Sequence, residues 1–426
     1  MKKTWIALGL SLLAAPAAFG SETGDAIVSA AYDGQLSATR ADFATECEAG
    51  DSEACFGAGL GELVYGYETL AQAMYRHGAT VPGNTAAALI FGFDTGDSRQ
   101  PQPANPNPEP LTYDQLRTIL DAAVTSLDQA RGHFEKAGET GDYVVLLDPL
   151  RLRFDIDGDG TVGEDETMSG LALEVLAIST RLDDFDAPKA KNKSGEVPDT
   201  SVGFDRADAL WFAGYTQVVA SPLDWLLAHD FSGFYNAYFH RIFPNAGLPM
   251  QDHTTGGVLF LDGDSDAGFA DMIAAVHTLR FPVTDADRLA GVLDRFTSIT
   301  ALSRRNWEAI LAETDDVREL VPSPSQTSIM PGEPVTQEIV DAWLATLDTL
   351  DQITAGDLLL PHWRFSQGFN LKTYFETATE TDIVMLLTGQ GALPYLADGP
   401  IADAESFAAL NRVMGEDWPL FALWFN

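Results

Sequence analysis

Residues 47–74 read CEAGDSEACFGAGLGELVYGYETLAQAM. In the second half of this stretch Leu60, Leu63, Val64, Tyr67, Leu70, Ala71 and Met74 recur every three to four positions, the spacing of one helix face. Gly57, Gly59, Gly61 and Gly66 interrupt the same run. Glycine weakens an isolated helix, so four of them predict a helix that neighbouring helices approach closely. Ahead of it, Gly50-Asp51-Ser52 reads as a turn between the end of one helix and the start of the next.

The same period dominates the rest of the chain. Leu116, Ile119, Leu120, Ala123, Leu127, Ala130 and Phe134 form a second amphipathic face, with Thr112 and Gln115 spaced as a capping box. Further helices are predicted at about 166–182, 204–229, 267–280, 284–312, 336–352 and 403–415. Strand alternation is scarce, and 257–261 is the best short candidate. The fold class is therefore all-α, helical hairpins or a bundle with long loops and little strand. Proline-rich or polar stretches at 94–110, 184–200 and 321–334 read as loops. They divide the chain into a helical hairpin region at 21–94, a Pro-rich linker at 95–110, a helical region at 111–183, a loop at 184–203 and a C-terminal helical region at 204–426. No repeat of solenoid period is present.

The N-terminus, MKKTWIALGLSLLAAPAAFG, has the basic start, short apolar run and small-residue end of a signal peptide, with cleavage expected near Gly20. Ala17 or Ala18 are alternative ends. No later run is apolar and long enough to span a membrane. These features predict an exported protein, periplasmic or secreted. Its net charge is −38, and −40 without Lys2 and Lys3. Such a field repels nucleic acid and anionic membranes and favours cations. Acidity of this degree is also what a saline habitat selects for solubility. Cys47 and Cys55 are the only two cysteines, and in an exported chain such a pair predicts a disulfide, here stapling the helical hairpin. Over that hairpin the cysteine spacing resembles that of cysteine-rich Sel1-like repeat proteins.

Residues 155–166 read DIDGDGTVGEDE. Asp155, Asp157 and Asp159 stand at positions 1, 3 and 5 of a twelve-residue loop, Gly160 at position 6 and Glu166 at position 12. Calcium is a hard cation that takes six to eight oxygens. The pattern D-x-[DN]-x-[DN]-G-x₅-E is met at every fixed position, and the segment resembles an EF-hand calcium loop. That resemblance implies one carboxylate oxygen from each aspartate, the backbone carbonyl of Thr161, water at Gly163, both oxygens of Glu166, and Val162 packed beneath. Asp148-Pro149 leaves a short incoming turn, and Thr167 replaces the apolar residue expected after Glu166. An apolar helix carrying Leu171, Leu173, Val175 and Leu176 follows. A single loop and few methionines point to a structural ion rather than a sensor, which works in pairs over a Met-rich groove.

A second acidic run, Asp262, Asp264 and Asp266, lacks the glycine and has Ile273 at position 12. Asp271 is its only closing carboxylate, one turn early, and helix capping explains the run equally well. The seven histidines are dispersed, and no nucleophile elbow, HExxH or phosphate loop occurs. His229 and His240 are eleven apart, with Gly233 between them. His362 and Arg364 share an aromatic segment that reads as a pocket wall or a packed turn. The catalytic residues are not legible. Three functions are consistent with the sequence. The first is an exported calcium-binding helical protein. The others are an exported, hydrolase-like enzyme carrying structural calcium and a helical interaction scaffold.

Overall fold

The computed structural model describes residues 21–80, 105–163, 166–169, 200–250, 263–327 and 335–414. The glycine-rich run lies in α3 (Ser52–Arg76), preceded by α1 (Glu22–Tyr32) and α2 (Leu36–Glu48). Asp51 caps α3 by accepting from the Ala54 N–H at 3.1 Å, and the Cys47–Cys55 disulfide ties its first turn to the last turn of α2. The four glycines are where helices touch. A Cβ at Gly57 would stand 2.8 Å from Ile27 of α1, at Gly59 2.7 Å from Phe134, at Gly61 2.7 Å from Arg40 of α2, and at Gly66 2.8 Å from Ser126. Phe134 and Ser126 belong to α4 (Tyr113–Ala137), whose Thr112–Gln115 capping box is formed as the sequence predicts.

The remaining helices are α5 (Arg206–Leu227), α6 (Ser232–Tyr238), α7 (Gly263–His277), α8 (Ala286–Ala312), α9 (Gln337–Ala355), α10 (Leu371–Thr377), α11 (Ile383–Thr388) and α12 (Ala408–Met414). Strands are short antiparallel pairs: β1 (Val145–Leu147) with β2 (Val202–Phe204), β3 (Arg280–Pro282) with β5 (Glu380–Asp382), and β4 (Gly368–Phe369) with β6 (Leu396–Ala397). The fold is mainly α-helical. Helices pack in succession, α2 on α3, α3 on α4, α4 on α5, α5 on α8, and α8 on α9. One buried cluster runs through them from Ile27 to Leu347, with Phe56, Phe134 and Trp307 fully enclosed. Two further clusters lie around Phe231 and Phe243, and around Leu289 and Tyr374.

Ions stitch α4, α5 and α8 together. Asp224 is 7% exposed and accepts from Arg288 Nε at 2.6 Å and Arg295 Nε at 2.5 Å. Arg295 also holds both oxygens of Asp128, at 2.7 and 2.9 Å.

Several boundaries differ from the sequence expectation. The strand β2 takes residues 202–204 out of the expected loop and helix start, and α5 begins at Arg206 because Asp205 and Asp208 form its capping box. The last helix is shorter than 403–415. The short helices α6, α10 and α11 are too brief to carry a period and were not expected. The end of the Pro-rich linker is bonded in place: Asn105 Nδ2 donates to the carbonyls of Tyr75 and Arg76, and Leu111 N–H donates to Ala246 O. The proposed signal peptide, the 257–261 strand and most of the 166–182 helix lie outside the described residues.

Candidate metal centre

Loop 155–163 is carried by α3 and by the turn between α1 and α2. Glu68 of α3 accepts from the Asp155 N–H at 3.0 Å, and Gln72 Nε2 donates to Asp155 O at 2.8 Å. Glu68 is 6% exposed, and burial pushes its carboxyl above the ordinary value. Val162 rests on Gly34, where a Cβ would come within 2.6 Å of it; Gly34 has φ +67, so a side chain there would also be strained. The base of the loop is closed by a bridge between Arg153 and Thr167, with Phe154 N–H donating to Glu166 O and Met168 N–H to Leu152 O. The incoming flank is a single turn of 3₁₀ helix, Pro149–Arg151, followed by extended chain.

Within the loop, carboxylate oxygens of Asp155, Asp157 and Asp159 lie within 4.8 Å of one another. Backbone amides hold them there. Asp155 accepts from Gly158 N–H (2.7 Å) and Gly160 N–H (3.2 Å), and Asp157 from Asp159 N–H (3.0 Å). Asp159 accepts from both the N–H and the hydroxyl of Thr161, which hold its carboxyl below the usual range. Gly160 has φ +78, the left-handed turn that position 6 requires and that glycine adopts without penalty. Glu166 is 5% exposed and points its carboxylate into the loop, accepting from Ile156 N–H at 2.9 Å and Gly163 N–H at 2.7 Å. Its oxygens lie outside the 4.8 Å group of the three aspartates. This donor set, all hard anionic oxygen, could hold a metal ion.

The second acidic run is placed differently. The helix α7 already begins at Gly263, so Asp264 and Asp266 fall in its first turn rather than in a loop. Asp262 lies outside the described residues. Asp271 is buried and engaged with His240 Nε2 at 3.0 Å and with the Arg241 guanidinium.

The other singled-out residues serve packing. His229 is fully buried, with Nδ1 against Trp225 O at 2.6 Å and Nε2 against Thr381 Oγ1 at 2.8 Å, and burial pushes its imidazole down. It shares no partner with His240. His362 Nε2 meets Leu386 O at 3.2 Å, and Arg364 lies 4.5 Å over the ring of Trp363, whose indole N–H donates to Leu387 O. That segment is a hydrogen-bonded surface turn, with Trp363 74% exposed.

Sequence reasoning missed a second carboxylate group. Oxygens of Asp205, Glu313 and Glu319 lie within 4.8 Å of one another, at the start of α5 and beyond the end of α8. Burial first, then the neighbouring carboxylates, push Glu313 to about 9 and Glu319 to about 7. The same causes raise Asp205 and Asp208. With oxygens of Asp205 and Glu313 this close, protonating one of them relieves the repulsion of two buried charges. The available signal was the run Glu313, Asp315, Asp316 and Glu319 following a long helix.

Comparison of the chain with protein-family models, with curated proteins and with solved structures found no match.

Proposed function

We propose that this is an exported calcium-binding protein and that one Ca²⁺ ion in loop 155–166 serves its structure. The observation that carries the reading is the convergence of the Asp155, Asp157 and Asp159 carboxylates over a left-handed Gly160. Asp155, Asp157 and Asp159 would each supply an oxygen, Thr161 its carbonyl, and Glu166 the two oxygens that close the sphere. Calcium would supply the positive charge that lets these carboxylates share one small volume. The flanks support a structural ion over a sensor. The loop is fastened to α3 through Glu68 and Gln72 and closed by a β-bridge, and among the described residues its incoming flank is a single 3₁₀ turn rather than a helix that could swing open. Export is supported by the signal-peptide pattern and by the Cys47–Cys55 disulfide, which belongs to an oxidising compartment. Among the described residues no helix is long and apolar enough to cross a membrane.

Thermal melting tests the reading. Calcium at tenfold its Kd should stabilise the wild type by about 1.4 kcal/mol. Asp155→Ala should lose that gain and keep the helical circular dichroism. Equal melting of wild type and variant at millimolar calcium would refute it.

A further inference from the structure

Residues 313–327 leave the end of α8 and cross β2 just ahead of α5. The crossing is tight. Gly203 N–H donates to Arg318 O at 3.1 Å, and the Arg318 guanidinium donates to Ser201 O. A Cβ at Gly203 would collide with Val317 O. Beyond the crossing Val321 is buried in the main cluster, and Gln326 Nε2 turns back to Glu313 Oε2 and Asp315 O, each at 3.0 Å. The segment is a strap laid over the start of α5. Among the described residues Arg318 is the one non-glycine with positive φ, at 59. A side chain takes that left-handed backbone only under strain, so the strap stays down only while its contacts hold it.

Those contacts include carboxylates. Oxygens of Asp205, Glu313 and Glu319 lie within 4.8 Å of one another where the strap meets α5. Glu319 is 5% exposed, and Asp208, which completes the capping box of Asp205, is 6%. Carboxylates this close and this buried repel one another when charged, and protons kept on some of them remove the repulsion. Other charged and titratable groups surround them. Asp208 and Arg206 stand on α5, and Asp315, Asp316 and Arg318 on the strap. Tyr143, ahead of β1, donates its hydroxyl to Asp205 O, and Glu53 of α3 faces Tyr143.

We propose that residues 313–327 form a proton-held strap, closed over α5 while the Asp205–Glu313–Glu319 group keeps its protons and lifting as a local unit when the group ionises. Burial and the neighbouring carboxylates raise Glu319 to about 7 and Glu313 to about 9, against 4.5 in water. The closed strap therefore binds protons that the lifted strap releases. It is favoured most below about pH 4.5 and loses that advantage as pH rises, through about 7 for Glu319 and about 9 for Glu313. The helices are stitched elsewhere, at the far end of α5, by Asp224 with Arg288 and Arg295. The strap can lift without parting them.

Trypsin cleavage after Arg318 tests this on the full mature chain. Its rate, divided by the rate on a free peptide of residues 313–327 at the same pH, follows the lifted fraction. Between pH 6 and pH 9 the ratio should rise by about a hundredfold or more. Glu319→Gln alone should shrink that rise by about tenfold. Glu313→Gln with Glu319→Gln should abolish it, with the helical circular dichroism kept. A wild-type rise of less than about tenfold overturns the proposal, and so does a rise that both variants keep in full. Cleavage that rises at every tryptic site together is global unfolding and also overturns it. A calcium heat that survives Asp155→Ala and disappears in Glu313→Gln with Glu319→Gln makes the group a metal site and overturns the proton latch.

Discussion

Glu313 and Glu319 show what burial does to carboxylates gathered in one place. Both hold protons more tightly folded than unfolded, at about 9 and about 7 against 4.5. Their contribution is therefore complete below about pH 4.5 and is lost as pH rises, first through about 7 for Glu319, then through about 9 for Glu313. Glu313→Gln keeps the shape and removes the titration. The difference in melting temperature between wild type and Glu313→Gln should shift in favour of the variant from pH 5 to pH 9. A difference that does not change with pH would show that Glu313 ionises freely. The gathering of the loop 155–166 carboxylates was the most legible feature at this scale, because its spacing is local: Asp155, Asp157, Asp159 and Gly160 are neighbours in sequence and in space. The Asp205–Glu313–Glu319 group was not legible, because Asp205 lies more than a hundred residues from the two glutamates and meets them only through packing. Asp271 illustrates the same limit, since its partner His240 is set by tertiary structure.

Among the elements, the helices with long apolar faces were readable and the short pieces were not. The glycines of α3 announced close neighbours, and Phe134, Ser126, Ile27 and Arg40 are those neighbours. Strand β2 was hidden because three residues carry no period, and its pairing with β1 spans a gap of more than fifty residues. Two predictions belong here. Replacing Cys47 and Cys55 with serine releases a loop of eight residues' separation, which chain entropy values at about 2.5 kcal/mol. Denaturant unfolding should show a loss near that size, against a reduced wild type showing the same loss. Asp224→Ala removes the buried carboxylate that Arg288 and Arg295 share and leaves each with one carboxylate partner, Asp121 and Asp128. It should cost about 2 kcal/mol, more than an exposed pair such as Arg280–Glu380, which contributes at most about 1 kcal/mol.

At the scale of the whole molecule, a net charge of −38 opposes compaction. Raising salt from 0.1 to 1 M shortens the screening length from about 10 to about 3 Å. It weakens exposed ion pairs worth little individually and relieves repulsion that acts on every carboxylate. Melting temperature should rise with sodium chloride; a fall would mean that the exposed pairs outweigh the global repulsion. A calcium ion bound as proposed would relieve the same repulsion locally, among the gathered carboxylates of loop 155–166. Calorimetric titration of chelator-treated mature protein tests that claim most directly. The account predicts one calcium per chain with measurable heat, absent in Asp155→Ala and in Glu166→Ala. No heat from the wild type at millimolar calcium, or undiminished heat from both variants, would contradict it.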